Sequence, residues 1–182
     1  TELGFESAVE SQQVFGGHGY IREWGMEQFV RDARIAQIYE GTNGVQAMDL
    51  VGRKLPLGGG AVVDGFFDMI ASDLRTASGL IVARRSSEAL TLLRQATIEL
   101  RGASVDAAGA AAVDYLRLFA LVSFGWMWTR MAAAAIGDNP LHQAKRQMAD
   151  FFAVRMLPQA QGLAAAVAAG EASLMALPIE AF

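Results

Sequence analysis

Residues 37–43 read "QIYEGTN", where an apolar helical pattern runs into a single carboxylate, Glu40, and then into Gly41. Glycine ends helices, so Glu40 falls in a bend, and Thr42 or Asn43 is placed to cap the helix resumed by "NGVQAMDLVGRK". The pattern leaves two readings open. An acid at the end of a helix is ordinary surface chemistry. An acid held in a bend beside apolar residues is partly desolvated, which makes it a stronger base, and its own backbone N–H is left to donate to a ligand.

A second stretch that could do chemistry precedes it. "QQVFGGHGY" places Gly16, Gly17 and Gly19 just after a helical segment. Glycines there let the chain turn sharply and bring N–H groups close to a ligand such as a phosphate. The same residues would serve as a helix C-cap and a turn. "GHGYIR" is not a dinucleotide fingerprint, which needs a preceding strand and a further glycine at fixed spacing. Glu27 and Arg31, four residues apart, are expected to form a surface ion pair. His18 is expected in a loop and His142 on the outer surface. The chain has no cysteine, so disulfides, thiolate nucleophiles and cysteine zinc sites are excluded, and no spacing of other residues points to a metal.

The elements that must position these residues are helical. Nothing alternates apolar and polar residues for long enough to make a strand. Met26, Phe29, Val30 and Ala33 form an inner stripe before Glu40. Further on, Val63, Phe66, Phe67, Ile70, Leu74, Ala77 and Ile81 follow three-and-four steps. Leu90, Leu93, Ala96 and Leu100 do the same after a cap expected at Ser86 or Ser87. A third helix from about Ala110 to Ile136 is apolar nearly all round, as a central bundle helix must be. The fourth begins at Pro140, turns Leu141, Ala144, Met148, Phe152 and Met156 inward, and bends or breaks at Pro158. "KLPLGGGA", residues 54–61, cannot continue a helix and reads as a flexible connection. The expected organisation is therefore all-α, with helices over residues 1–55, a linker over 56–61 and a four-helix bundle over 62–182.

Composition bounds the function. Hydrophobic residues at 53% and charged residues at 19% exclude a disordered chain, and a net charge of −4 lacks the basic surface that nucleic acid needs. "LFALVSFGWMW", residues 118–128, is fenced by Arg117 and Arg130 and too short to span a bilayer, so no membrane span is expected. The N-terminus has no basic stretch followed by an apolar run, and it starts within a helical pattern without methionine. A piece of a longer, cytoplasmic protein is the expectation.

The stretch "QVFGGHGYIREWGMEQFVRDARIAQIYEGTNGVQAMDLVGRKL" resembles the C-terminal helical domain of the acyl-CoA dehydrogenases, without a gap over some forty residues. The likeness rests on Gln13 with Gly16 and Gly17, on Gly19 and Tyr20, on Arg31, Asp32 and Ala33, and on Ile38 through Thr42, all in order. "DLVGRKLP" and "KRQMADFFAVRMLPQAQGL" are similar to the long bacterial members, which carry an extra C-terminal helical bundle.

The resemblance implies an enzyme that oxidises an acyl-CoA to the 2-enoyl-CoA with FAD. Glu40, in the YEGT position, would take the α-proton while the β-hydrogen leaves as hydride, and its backbone N–H would bind the thioester oxygen. Gly41 would leave room for the substrate. Gln13, Gly16 and Gly17 would meet the FAD of a neighbouring subunit, implying a homodimer, and Thr42 the FAD of its own. Many relatives have a polar residue at Gly44, where this chain could offer only backbone. Arg31 and Asp32 are assigned to structure. The family's usual electron acceptor is an electron-transferring flavoprotein. Because the domains that supply most of the flavin and substrate site lie outside this sequence, the chain alone is expected to be inactive. The alternatives are a helical interaction or dimerisation module, for which the bundle is the candidate, and a flavin-free pseudo-enzyme.

Overall fold

The computed structural model describes residues 1–181, and every regular element among them is helical. The chain divides into two compact units, one of Thr1–Gln46 and one beginning at Ala47.

In the first unit, α1 (Glu2–Val14) packs against α3 (Met26–Ile35), with the single turn α2 (Gly17–Tyr20) and a 3₁₀ turn (Arg22–Trp24) between them. The approach of α2 to α1 is close enough to require glycine. A Cβ on Gly19 would run into the Gln12 carbonyl, and the Gln12 amide donates to the Gly19 carbonyl at 3.0 Å. Met26, Val30 and Ala33 are half-buried, but Phe29 is 63% exposed, so the inner stripe of α3 is narrower than its sequence suggests. The stripe is completed from the other side by Arg34, whose guanidinium lies 5.8 Å from the Phe5 ring centroid. Glu27 and Arg31 form the expected pair, at 4.0 Å.

The second unit takes up α4 (Asn43–Asp49) from Ala47 onward, followed by a π turn over Leu50–Lys54 and a 3₁₀ turn over Leu57–Gly60. The glycine segment is an ordered turn. Gly58, Gly59 and Gly60 all take positive φ, and the Gly60 carbonyl accepts from Arg101, which also holds Asp64 at 2.9 Å. Then come α5 (Ala61–Thr76), α6 (Ile81–Arg101), α7 (Val105–Ala134), α8 (Pro140–Phe151), a second π turn (Phe152–Met156), α9 (Gln159–Val167), the short α10 (Ala172–Met175) and a terminal 3₁₀ turn.

Helix α7 is the axis of this unit, with α5, α6, α8 and α9 laid against it. By length and composition it is apolar enough to cross a membrane. Here its apolar surface meets Phe67, Ile70, Leu74, Leu90 and Leu93 of the neighbouring helices in one continuous core. Phe66 stacks on Phe119 at 5.6 Å and meets Trp126 edge-on, while the Trp126 indole N–H donates to Asp73 at 2.7 Å. Small residues set the closest approach. Gly125 faces Ser86, which is fully buried and has no hydrogen-bond partner among the described residues. Tyr115 shares its hydroxyl with Thr97 at 2.7 Å in the same core.

Two expectations about helix phase need correction. The cap of the second bundle helix is not Ser86 or Ser87. Helix α6 starts at Ile81, after an extended Leu80, and Ser86 lies inside it on the buried face. In α8 Pro140 stands at the start as expected, with Asn139 as the cap, yet Leu141 (64% exposed), Ala144 and Met148 face outward. The inner face carries His142, Lys145, Ala149, Phe152 and Ala153. The two polar members fit because the Lys145 ammonium lies over the Trp128 ring and the His142 ring meets the Ile136 carbonyl. His142 is therefore half-buried rather than a surface side chain.

Two π turns punctuate this unit, the second beginning at Phe152. Each adds a residue to one helical turn, and each ends in a buried leucine followed by proline: Leu55 before Pro56, and Leu157 before Pro158. Both leucine N–H groups reach five residues back, to Leu50 and Phe152, at 3.0 Å. Proline cannot donate and its ring crowds the preceding turn, so the widened turn relieves the clash. His142, Lys145 and Ala149 keep the α period back from Phe152, and the face was misread because two of them are polar.

Two measurements check this packing. Gly125→Ala drives a methyl into Ser86 and Leu157, and should lower the stability of the chain in urea by about 1–3 kcal/mol. Burial pushes the Tyr115 phenol up from 10.0 to about 12. Its tightly held proton stabilises the fold fully below pH 10, and that contribution is lost as the pH rises through about 12. Alkaline absorbance titration should show a late tyrosinate phase that Tyr115→Phe removes.

Candidate functional site

The bend at Glu40 is built by the end of one helix and the start of the next. Helix α3 closes with tightened turns, in which Ile38 and Tyr39 both donate to the Ile35 carbonyl at 3.0 and 3.1 Å. Glu40 then takes φ 52°, the only positive φ at a non-glycine residue among those described, and Gly41 follows at φ 87°. A left-handed conformation costs a residue with a Cβ about 1–2 kcal/mol, so the surrounding contacts must hold it there. Thr42 is the cap of α4, its hydroxyl accepting from the Val45 N–H at 3.4 Å. Asn43 instead accepts from the Thr1 hydroxyl at 2.7 Å, which pins the start of α4 to the start of α1.

Gln46, in the first turn of α4, reaches back over the bend. Its side-chain amide donates to the Glu40 carbonyl at 3.5 Å, and the same nitrogen is the atom nearest to where a Cβ on Gly41 would lie, at 3.0 Å. Sequence reading passed over this residue. Its signal was a glutamine one turn beyond a threonine cap, a variation on the side chain that reaches back in a capping box. Among the described residues nothing accepts the Glu40 N–H, which leaves it free to donate.

Among the described residues no apolar pocket surrounds Glu40. Glu40 is exposed, and so are its neighbours Ile38 and Tyr39, at 50% and 53%. No described residue covers the outer side of the bend.

The other sequence-derived positions form a separate group. Gln13 is exposed at the end of α1, and Gly16 takes φ 58° and closes that helix by donating to the Gln13 carbonyl at 2.9 Å. A Cβ on Gly16 or Gly17 would meet nothing within 4 Å, so the backbone is open to a ligand here. This group does not join Glu40. Thr1 is tied to Asn43, and Gln13 lies twelve residues further along α1, roughly 18 Å at about 1.5 Å per residue. Gly44 stays with Thr42, whose hydroxyl would lie 3.8 Å from a Cβ there. His18 packs edge-on against Trp24 at 5.0 Å and has no place at the bend. The structure thus brings Glu40, Gly41, Thr42 and Gly44 together, and holds Gln13, Gly16 and Gly17 at the far end of α1.

Comparison with known proteins adds the following. Residues 1–55 match the family described as acyl-CoA dehydrogenase, C-terminal domain, and residues 66–178 match the family described as acetyl-CoA dehydrogenase C-terminal like. The chain is 37% identical to the 3-methylmercaptopropionyl-CoA dehydrogenase of Ruegeria pomeroyi over 171 residues, which is 86% of this chain and 29% of that protein. It is 27% identical to a broad-specificity linear acyl-CoA dehydrogenase of Mycobacterium tuberculosis over 180 residues, 87% of this chain and 30% of that one. An acyl-CoA dehydrogenase of Bacillus subtilis shares 39% identity over 59 residues, 32% of this chain and 15% of that protein. The chain therefore spans under a third of the length of the first two of these relatives. Residues 66–178 are well over half of the chain, and on that match the protein belongs to the acyl-CoA dehydrogenase family.

Proposed function

We propose that Glu40 is the general base of an FAD-dependent acyl-CoA dehydrogenase in which this chain is the C-terminal part. The observation that carries the reading is the bend itself: a lone carboxylate in a left-handed conformation, with an N–H that no described residue accepts, followed by Gly41 and a capping Thr42. Strain of that kind persists where surrounding structure demands it, most often at functional sites.

The α-proton of an acyl thioester is weakly acidic. Glu40 takes it through its carboxylate, while its backbone N–H donates to the thioester oxygen and stabilises the charge that builds there. Gly41 leaves space for the thioester. The β-C–H bond breaks with its electron pair, and the α–β double bond of the 2-enoyl-CoA forms. FAD, when bound, supplies the two-electron acceptor for that hydride.

The residues present suit such a cofactor. Gln13 offers an exposed amide, and Gly16 and Gly17 an open backbone, all appropriate to a phosphate-bearing ligand. Thr42 can still donate its hydroxyl proton while accepting from Val45. Gly44 is limited to backbone contact. In this reading the Gln13 group, roughly 18 Å along α1 from the bend, meets the flavin of a partner subunit in a homodimer, while Thr42 meets the flavin of its own. The exposure of Glu40 implies that the rest of the enzyme covers the bend and excludes water, so the chain alone would be inactive. The electron acceptor fitting this chemistry is an electron-transferring flavoprotein.

Anaerobic flavin bleaching by a panel of acyl-CoAs tests the reading in the full-length enzyme. Glu40→Gln should keep its flavin and bleach about 10²- to 10⁴-fold more slowly than wild type. Equal rates would place the base elsewhere, and a parent without flavin would point to a pseudo-enzyme.

A further inference from the structure

We infer that Gln46 is a positioning residue for Glu40, holding the strained Glu40–Gly41 peptide in the orientation that aims the base. The inference rests on the assignment of Glu40 as that base, and its own argument is geometric. A residue with a Cβ does not stay left-handed unaided, and the described contacts that could hold it are few. Behind Glu40, the turn ends at Tyr39, whose N–H donates to Ile35. Ahead of it, Gly41 accepts φ 87° only because it has no side chain. Between them is the Glu40 carbonyl, and Gln46 is the side chain that reaches it.

Gln46 is itself fixed. Its N–H donates to the Thr42 carbonyl at 3.0 Å, so it belongs to the first turn of α4 and moves with that helix. Its amide nitrogen lies against the face of Gly41 where a Cβ would stand. One side chain therefore fills the space glycine leaves and donates to the neighbouring carbonyl, fixing the plane of the peptide that joins the two left-handed residues. At 3.5 Å the bond is long, as hydrogen bonds in substrate-free sites often are, and it would shorten as the bend closes on a substrate. Thr42 works on the other side of the bend, where its hydroxyl accepts from the Val45 N–H and caps α4.

Gln46→Met keeps the length of the side chain and removes the donor. In the full-length enzyme this variant should hold flavin as wild type does and half-saturate at an acyl-CoA concentration within about three-fold of it, while the rate of flavin reduction at saturation falls about ten-fold. A residue with only a structural role would lower flavin content and melting temperature instead of splitting the two constants this way. Gln46→Ala serves as the second variant should the methionine disturb folding. In the isotopically labelled chain, NMR should show a strong intraresidue N–H to Hα cross-peak for Glu40, the mark of a left-handed residue, which weakens in either variant. A reduction rate within two-fold of wild type, or an unchanged cross-peak, overturns the inference. If Glu40→Gln itself reduces flavin normally, the base assignment fails, and the role given to Gln46 fails with it whatever the cross-peak does.

Discussion

A helix of thirty residues that is apolar over most of its circumference needs cover along much of its length. That requirement on α7 organises the second unit. Four helices supply the cover, and their own sequences show it as one-sided stripes. The places where α7 is not simply apolar decide how closely the cover can sit: Gly125 admits α6 at Ser86, and Tyr115 finds Thr97 for its hydroxyl. The neighbouring helices bear the polar groups that the arrangement needs, such as Asp73 for the Trp126 indole.

The first unit is built on the opposite terms. Of its residues only Gly19 is buried, and large side chains including Phe15, Tyr20, Trp24 and Tyr39 stand exposed. Its order comes instead from local devices: a glycine contact between α1 and α2, a threonine cap, a hydroxyl that ties the start of α1 to the start of α4. These devices suffice to shape one bend in a high-energy backbone conformation. The chemistry proposed for that bend would need a covering surface, which fits a unit so open on its outer side.

The sequence made the all-helical class legible because periodicity is strong over α5, α6 and α7, and because Pro140 and Pro158 mark a start and a bend that physics enforces. The bend at Glu40 was legible for the same reason, glycine after an apolar run. What escaped notice depended on phase or on contact. Ser86 looked like a cap since serine favours that role, but tertiary burial overrode the local preference. The inner face of α8 was misread because two of its members are polar and use their apolar stems. Gln46 was missed because its importance lies in a reach across six residues that no composition reveals. The exposure of Glu40 could not be read either, as solvation depends on whatever lies above the bend.

The two π turns carry a consequence for how such chains vary. Each is, in effect, an α-helix holding one residue more than its hydrogen bonds require, placed just ahead of a proline. Removing one residue there would restore ordinary helical bonding locally. Because the extra residue is taken up within a single widened turn, the chain beyond it would keep its direction, and Leu55 or Leu157 would stay on the buried side. The widened turn therefore acts as slack: it absorbs a one-residue difference in length that an unbroken helix would convert into a rotation of about 100° of everything beyond.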